Sequence, residues 1–329
     1  MATTPNAATP AGLAWSPRVL LRRLRGADEI AHLITLIAAA TLLLITALLV
    51  YQLWIHSAAA RHTFGWSFFV TRTWDPVARQ FGALPFIYGT LVTSAVALLL
   101  AVPLGVGGAI FLAELAPPKL SSSLTFVSDL LAAVPSVIYG LLGVFLLVPL
   151  MRTTIQPALK RTLGFLPLFQ GPAYGIGFLT AGIVLAVMVV PFVLSVSREV
   201  LLAVPRDQRE AALALGATKW ESTWRVVVPA ARIGIFGSVF LALARALGET
   251  MAVTMVVGNT PKIAASLFSP GYSIAAVLAN EFSEATGNLY LSALIELALV
   301  LFLLTFVLNG LARLLILITT ARGSGVLPT

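Results

Sequence analysis

From Ile30 to Ala60 the chain runs through 31 positions without an Asp, Glu, Lys or Arg. A helix rising about 1.5 Å per residue crosses the roughly 30 Å hydrocarbon core of a bilayer within such a run. A helix in a water-soluble domain hides one apolar stripe, not its whole circumference. The rest of the chain points the same way, being 59% hydrophobic and 10% charged over 329 residues, against about 25% charged in ordinary soluble domains. A water-soluble fold is excluded, and the excess apolar surface must face lipid. The apolar core of a secretory leader is only about 7–15 residues long. The first run is therefore expected to be a retained transmembrane helix, uncleaved, with a cytoplasmic tail before it.

Further apolar runs fall near Ile87 to Leu112, Leu124 to Leu150, Ala173 to Ser197, Ile233 to Val257 and Leu289 to Ile316, making six with Ile30 to Trp54. The expected fold is an all-α integral membrane protein with six transmembrane helices. Its divisions are a tail at 1–28, a first helix at 29–57, a periplasmic loop at 58–84, a five-helix core at 85–318 and a tail at 319–329. An even number of spans puts both termini on one side. With the N-terminus inside, thirteen Lys and Arg fall in cytoplasmic segments and seven outside, with Arg245 within a span, so the bias favours cytoplasmic termini. Arg152, Lys160 and Arg161 go against that rule. Trp66, Phe68, Phe69 and Trp74 in the external loop read as interfacial anchors.

The net charge of +8 sits at the ends of apolar runs, as a membrane protein's should, and does not point to nucleic acid. With no cysteine in the chain, disulfides, thiolate metal sites and cysteine nucleophiles are excluded. His32, His56 and His62 form no metal-binding pair. None of the four lysines, Lys119, Lys160, Lys219 and Lys262, follows a GxxxxG, so there is no phosphate-cradling loop for ATP. No metal, cofactor or catalytic residue is expected.

Residues 198–231 form the only long, strongly charged segment. Between Pro205 and Pro229 it reads RDQREAALALGATKWESTWRVVV. Helix formers run to Leu215, Gly216 suits the positive φ of a C′ cap, and Thr218 with Glu221 three residues on makes a capping box. Pro229 marks an expected break before the fifth span. A charged helical hairpin carrying Trp220 and Trp224 is expected to dock on a soluble partner or, more plainly, to act as a linker.

Glu210, Ala211 and Ala212, then Gly216, then Val226, Val228 and Pro229 resemble the EAA signature of ABC importer permeases, with valines where the signature has Ile and Leu. The resemblance implies a type I ABC importer permease fold and a coupling helix seated in a groove of a cytoplasmic ATPase.

The fifth run, LALARALGETMAVTMVVGNT, places Arg245 and Glu249 near mid-span. An arginine there costs about 2.5–3.5 kcal/mol even on lenient insertion scales. At a spacing of four the two are expected to share a helical face beside Gly248 and Ala252. Two readings fit: an ion pair stapling helices together, or a polar station where guanidinium donors meet an oxyanion and a protonated oxygen donates to Glu249. Asp129, expected one turn inside the third span, and Glu296, in the sixth, suit local partners better than transport. Pro103, Pro135 and Pro191 are expected to kink or break their helices.

The segments WDPVARQFGALPFIYGTL, ELAPPKL, LLAAVPSVIYGLLG and RALGETMAV resemble phosphate-specific permease subunits of the PstC type, over nearly all the chain from Trp74 to Ala252. The resemblance implies phosphate import in the cell membrane. Its implied partners are a second permease of PstA type, two copies of a PstB-type ATPase that binds ATP and Mg, and a periplasmic or lipid-anchored phosphate-binding protein. It also places Arg245 and Glu249 at positions implicated in translocation. The rival readings are another tetrahedral oxyanion, a secondary transporter or channel using Glu249 and Glu296 as proton sites, or a structural anchor.

Overall fold

The structure is a computed structural model and describes the backbone of residues 27–321 and the side chains of 30–314. The expected tails at 1–28 and 319–329 lie almost wholly outside the described residues. Two units divide at Ile55. The first contributes α1 (Ala27–His56), whose side chains from Ile30 to Leu49 are all exposed, as befits a helix whose solvent is lipid.

Among the described residues, six helices are long and apolar enough to cross a membrane. Besides α1 they are α3 (Leu84–Leu115), α5 (Ser136–Leu163), α6 (Phe178–Leu202), α8 (Lys219–Gly248) and Asn288–Leu314 within α11 (Asn288–Ala321). Shorter elements are α2 (Ala58–Phe64), α4 (Pro118–Ala133), α7 (Arg206–Ala214), α9 (Met251–Val256) and α10 (Ile274–Glu281). No strand occurs among the described residues beyond an isolated antiparallel bridge between Asp75 and Gln80. The structure is that of a multi-pass membrane protein.

The third span is not where the apolar run placed it. The run from Leu124 to Leu150 is cut at Val134 and Pro135, both extended with ψ of 130° and 138°. A proline disfavours α-helical geometry in the residue before it, and here both residues turn extended and end the helix. The span is therefore α5, about a dozen residues later, and Asp129 lies on the preceding helix α4 rather than inside a span. Arg152, Lys160 and Arg161 ride on the last turns of α5 instead of a loop.

Prolines also leave a finer mark. Four five-residue π turns, at Phe111–Leu115, Gly143–Leu147, Met151–Ile155 and Thr223–Val227, each end two residues before a proline. In each, the amide just after the turn bonds five residues back, as from Val228 to Thr223. Where the helix continues through the proline, at Pro149, Pro157 and Pro229, the widened turn makes room for a ring that would otherwise clash with the carbonyl four residues earlier. Pro229 consequently does not break the helix as expected, and α8 runs unbroken from Lys219 through it. Pro103 and Pro191 sit inside continuous helices.

The most buried span is α6, which packs chiefly on α3 through small residues. A Cβ on Gly105 would meet Val193 at 2.7 Å and one on Gly182 would meet Val96 at 2.4 Å, so only glycine permits that approach. At the N-terminal end of α3, most aromatics of the 58–84 segment form a core rather than the expected interfacial anchors. Phe68, Trp74 and Phe81 are buried with Phe86 and Tyr272, while Trp66 stays exposed. Trp74 Nε1 and the Tyr290 hydroxyl both donate to Glu281 Oε2, at 2.8 and 2.7 Å. Burial pushes the Tyr272 hydroxyl up to about 12, so it remains a neutral acceptor for Asn280.

Candidate functional site: an exposed hairpin and an open helix break

At the opposite end of α3, helix α7 closes in a Schellman motif. Gly216 N–H donates to Leu213 O at 3.0 Å and Ala217 N–H to Ala212 O at 3.1 Å, the paired bonds that satisfy carbonyls at a helix end. Gly216 has φ +87°, and nothing lies within 4 Å of where its Cβ would be. Backbone conformation, not crowding, selects glycine there. Two residues on, Thr218 Oγ1 accepts from Glu221 N–H at 3.2 Å while Glu221 Oε2 accepts from Thr218 N–H at 2.9 Å. This is the capping box expected from the sequence.

A side chain not singled out in the sequence ties this hairpin to the spans. Arg209 donates from Nη2 and Nε to Glu114 on the last turn of α3, at 2.8 and 3.2 Å. It also donates to the carbonyls of Leu201, at 2.7 Å, and Val204, at the end of α6. The ionic partners are 19% and 11% exposed, so the pair is shielded and forked. Fully buried Val227, beside Ala109, Leu201 and Ala231, adds an apolar seat. Glu114 lay in plain view in ELAPPKL, but only the fold brings a residue 95 positions away onto it.

The hairpin's signature residues divide by exposure. Glu210, Ala211, Gly216 and Pro229 are exposed, and Ala212, Val226 and Val228 are half-buried. Leu213, Leu215, Trp220 and Trp224 add exposed apolar surface, Leu215 at 90%. Trp220 and Trp224 meet edge to face at 5.5 Å.

The pair predicted at mid-span is not formed. Helix α8 ends at Gly248, and Glu249 is extended at φ −69°, ψ 126°. Arg245 therefore lies in a helix's last turn and Glu249 beyond it, off the shared face that a continuous helix would give. Glu249 Oε1 accepts from Ala252 N–H at 3.2 Å and so serves the first turn of α9. Arg245 is exposed and makes no ion pair with it. Its guanidinium carbon stands 5.6 Å from the centre of the Phe192 ring, within cation–π range. Beside it Gly248 faces open space, and Gly248 and Thr250 line a cavity of about 500 Å³ with Leu278, Phe282 and Leu301. The stapling ion pair is thus overturned.

Glu296 is 2% exposed, and its Oε2 accepts no hydrogen bond. It sits one turn beyond Ser292, whose Oγ accepts from Ala60 N–H of α2 at 3.0 Å, with the charge of Arg61 in reach. Glu249 and Glu296 are thus held by different elements. No cluster of three or more His, Asp or Glu side chains suited to a metal occurs among the described residues.

An open polar break after α8 and an exposed hairpin tied to the ends of α3 and α6 are thus set into a multi-pass membrane protein. Residues 105–316 match the family described as binding-protein-dependent transport system inner membrane component. The chain belongs to that family, and within it groups with permease proteins of the PstC type. It is 47% identical over 306 residues to the phosphate transport system permease protein PstC of Mesorhizobium japonicum, covering 92% of this chain and 94% of the relative. It is 51% identical over 257 residues to the PstC of Xylella fastidiosa, covering 77% and 79%. Among solved structures, it is similar to a bacterial ABC transporter involved in the import of alginate, an acidic polysaccharide. That likeness has TM-score 0.57 and 16% identity, covering 90% of this chain and 98% of that one. An inward-facing MetNI methionine ABC transporter gives TM-score 0.51 at 17% identity over 73% and 98%. These likenesses show the fold, that of a type I ABC importer permease.

Proposed function

We infer that this chain is a permease subunit of an ATP-driven phosphate importer, forming half of the translocation pathway. The observation that carries this reading is the 47% identity to a phosphate permease over nearly the full length of both chains. The geometry adds a chemical reason. Arg245 has no carboxylate bound to it and faces open space, so its planar donors are available to a phosphate oxygen. Glu249 Oε1 accepts at 3.2 Å from one amide, which leaves the other carboxylate oxygen for a protonated phosphate oxygen.

ATP and Mg belong to partner subunits, two copies of a PstB-type ATPase that grip the exposed tip of the hairpin around Glu210, Ala211 and Gly216. A second permease of PstA type completes the path beside Gly248 and Thr250. A phosphate-binding protein loads it from the side where the 58–84 segment lies, and both termini are cytoplasmic. Closure of the ATPase pair moves α7, and Arg209 hands that movement to the ends of α3 and α6. The membrane site binds phosphate weakly, because a tight site would hold what it must release.

Phosphate uptake by the reconstituted transporter tests the pathway. Arg245→Gln is expected to lower uptake at least tenfold while the complex still assembles, and normal uptake would remove Arg245 from the path.

A further inference from the structure

A second cavity, of about 420 Å³, lies at the hairpin end of the bundle between α4 and the last turns of α6, with Ser, Thr, Asp and Arg side chains on its wall. That is room for on the order of ten waters, or for an oxyanion with part of its hydration shell. On α4, Ser122, Thr125 and Asp129 follow one another at steps of three and four, which puts them on one stripe. Arg198 of α6 faces the same space.

Two features mark this cavity as built for a guest. Asp129 and Arg198 line it together, yet they form no ion pair. Arg198, 18% exposed, binds only its neighbour Glu199, at 3.1 Å, whose side chain is 70% exposed, an arrangement of little energetic value. Thr125 Oγ1 and Arg198 Nε are moreover buried without any hydrogen-bond partner. Thr90 and Thr93, by contrast, bond back to their own helix at 2.8 Å. A buried donor left unmet is costly, and here two such donors from different helices border the same open space.

We propose that this cavity binds a phosphoryl oxyanion that also carries a hydroxyl. Monohydrogen phosphate and the headgroup of phosphatidylglycerol share that chemistry. Arg198 and Thr125 supply donors to the charged oxygens. Asp129, itself exposed, accepts only, with Oδ1 already receiving from Ser195 Oγ at 3.3 Å, so beside the site it favours a ligand that brings a hydroxyl donor over an oxyanion that has none. The site lies apart from Arg245 and does not depend on the transport reading.

The test uses the full-length chain carrying Arg245→Gln, so that the pathway residue contributes nothing. One arm places it in phosphatidylcholine nanodiscs and measures binding of radiolabelled phosphate by equilibrium dialysis. The other adds phosphatidylglycerol and counts retained lipid by native mass spectrometry. Saturable phosphate binding identifies the free anion, and selective phosphatidylglycerol retention identifies the lipid. In whichever arm responds, Arg198→Gln is expected to reduce binding at least tenfold and the near-isosteric Thr125→Val several-fold. Asp129→Asn is expected to admit competitors that the parent excludes, sulfate in the first arm and phosphatidylethanol, which has no headgroup hydroxyl, in the second. Binding in neither arm, binding unchanged by Arg198→Gln, or competitors admitted equally by parent and Asp129→Asn would each overturn the proposal.

Discussion

The hairpin at Gly216 and the break at Glu249 both interrupt helices within a mostly helical chain, and they are built in opposite ways. At the hairpin, the end of α7 is closed by the Schellman bonds and the start of α8 by the capping box, while Arg209 locks α7 to two spans. At the break, one carboxylate serves one amide, a glycine opens onto empty space and a guanidinium stands without an ionic partner. A joint that passes on movement must have its polar groups satisfied internally, because slack there absorbs the stroke. A passage for an ion must keep hydrogen-bonding capacity unspent. Under the proposed function, the difference between satisfied and unsatisfied polar groups separates the two roles within one chain.

The sharpest way to break that contrast is to unlock the hairpin. Arg209→Ala strands a largely shielded Glu114, a loss of about 2–3 kcal/mol, below the range for a fully buried pair because both partners keep some exposure. Thermal unfolding of the purified transporter is expected to show it, together with ATP hydrolysis no longer matched to uptake. Gly216→Val is expected to cost about 1–2 kcal/mol from backbone strain alone, since L-residues resist left-handed geometry and the surroundings are empty. Gly216→Asn should recover most of that, because asparagine tolerates the conformation, and equal losses for Val and Asn would place the cause in docking contacts. Thr218→Ala removes one cap and is expected to cost about 1 kcal/mol, seen as a small fall in melting temperature. At the break, Phe192→Leu removes a ring contact worth about 0.5–1 kcal/mol at an exposed site. It should leave stability nearly unchanged while lowering uptake a few-fold, which separates positioning of Arg245 from folding.

Local chemistry was readable and tertiary chemistry was not. The glycine cap and the Thr218–Glu221 box depend on neighbours within a few residues, so residue types alone revealed them. The first, second, fourth and sixth spans fall close to their apolar runs. The third did not: Pro135 was legible as a kink or break and does end α4, but the apolar residues on both sides of it made one continuous hydropathy run. The fifth misled for a related reason: RALGETMAV keeps helical spacing through Glu249, while the backbone turns extended there. The loop aromatics looked like membrane anchors because composition cannot reveal that Trp74 has Glu281, 207 residues away, to bond. Arg209 and Glu114 were hidden by the same kind of distance. At the site, the residue types of Arg245 and Glu249 were legible, but their separation into an unpaired cation and a helix cap was not.

Because the chain has no cysteine, aqueous access to the break is directly measurable. Gly248→Cys keeps Arg245 in place, adds a thiol where a Cβ meets nothing within 4 Å, and has a natural control in Ala246→Cys, a position 3% exposed. In the assembled transporter, a charged, membrane-impermeant thiol reagent is expected to modify Gly248→Cys in the nucleotide-free or the ATP-bound state, more slowly with phosphate present, and to spare Ala246→Cys. A Gly248→Cys thiol unreactive in both states would mean that Arg245 faces no aqueous path, contradicting the proposal that it carries an anion through the membrane.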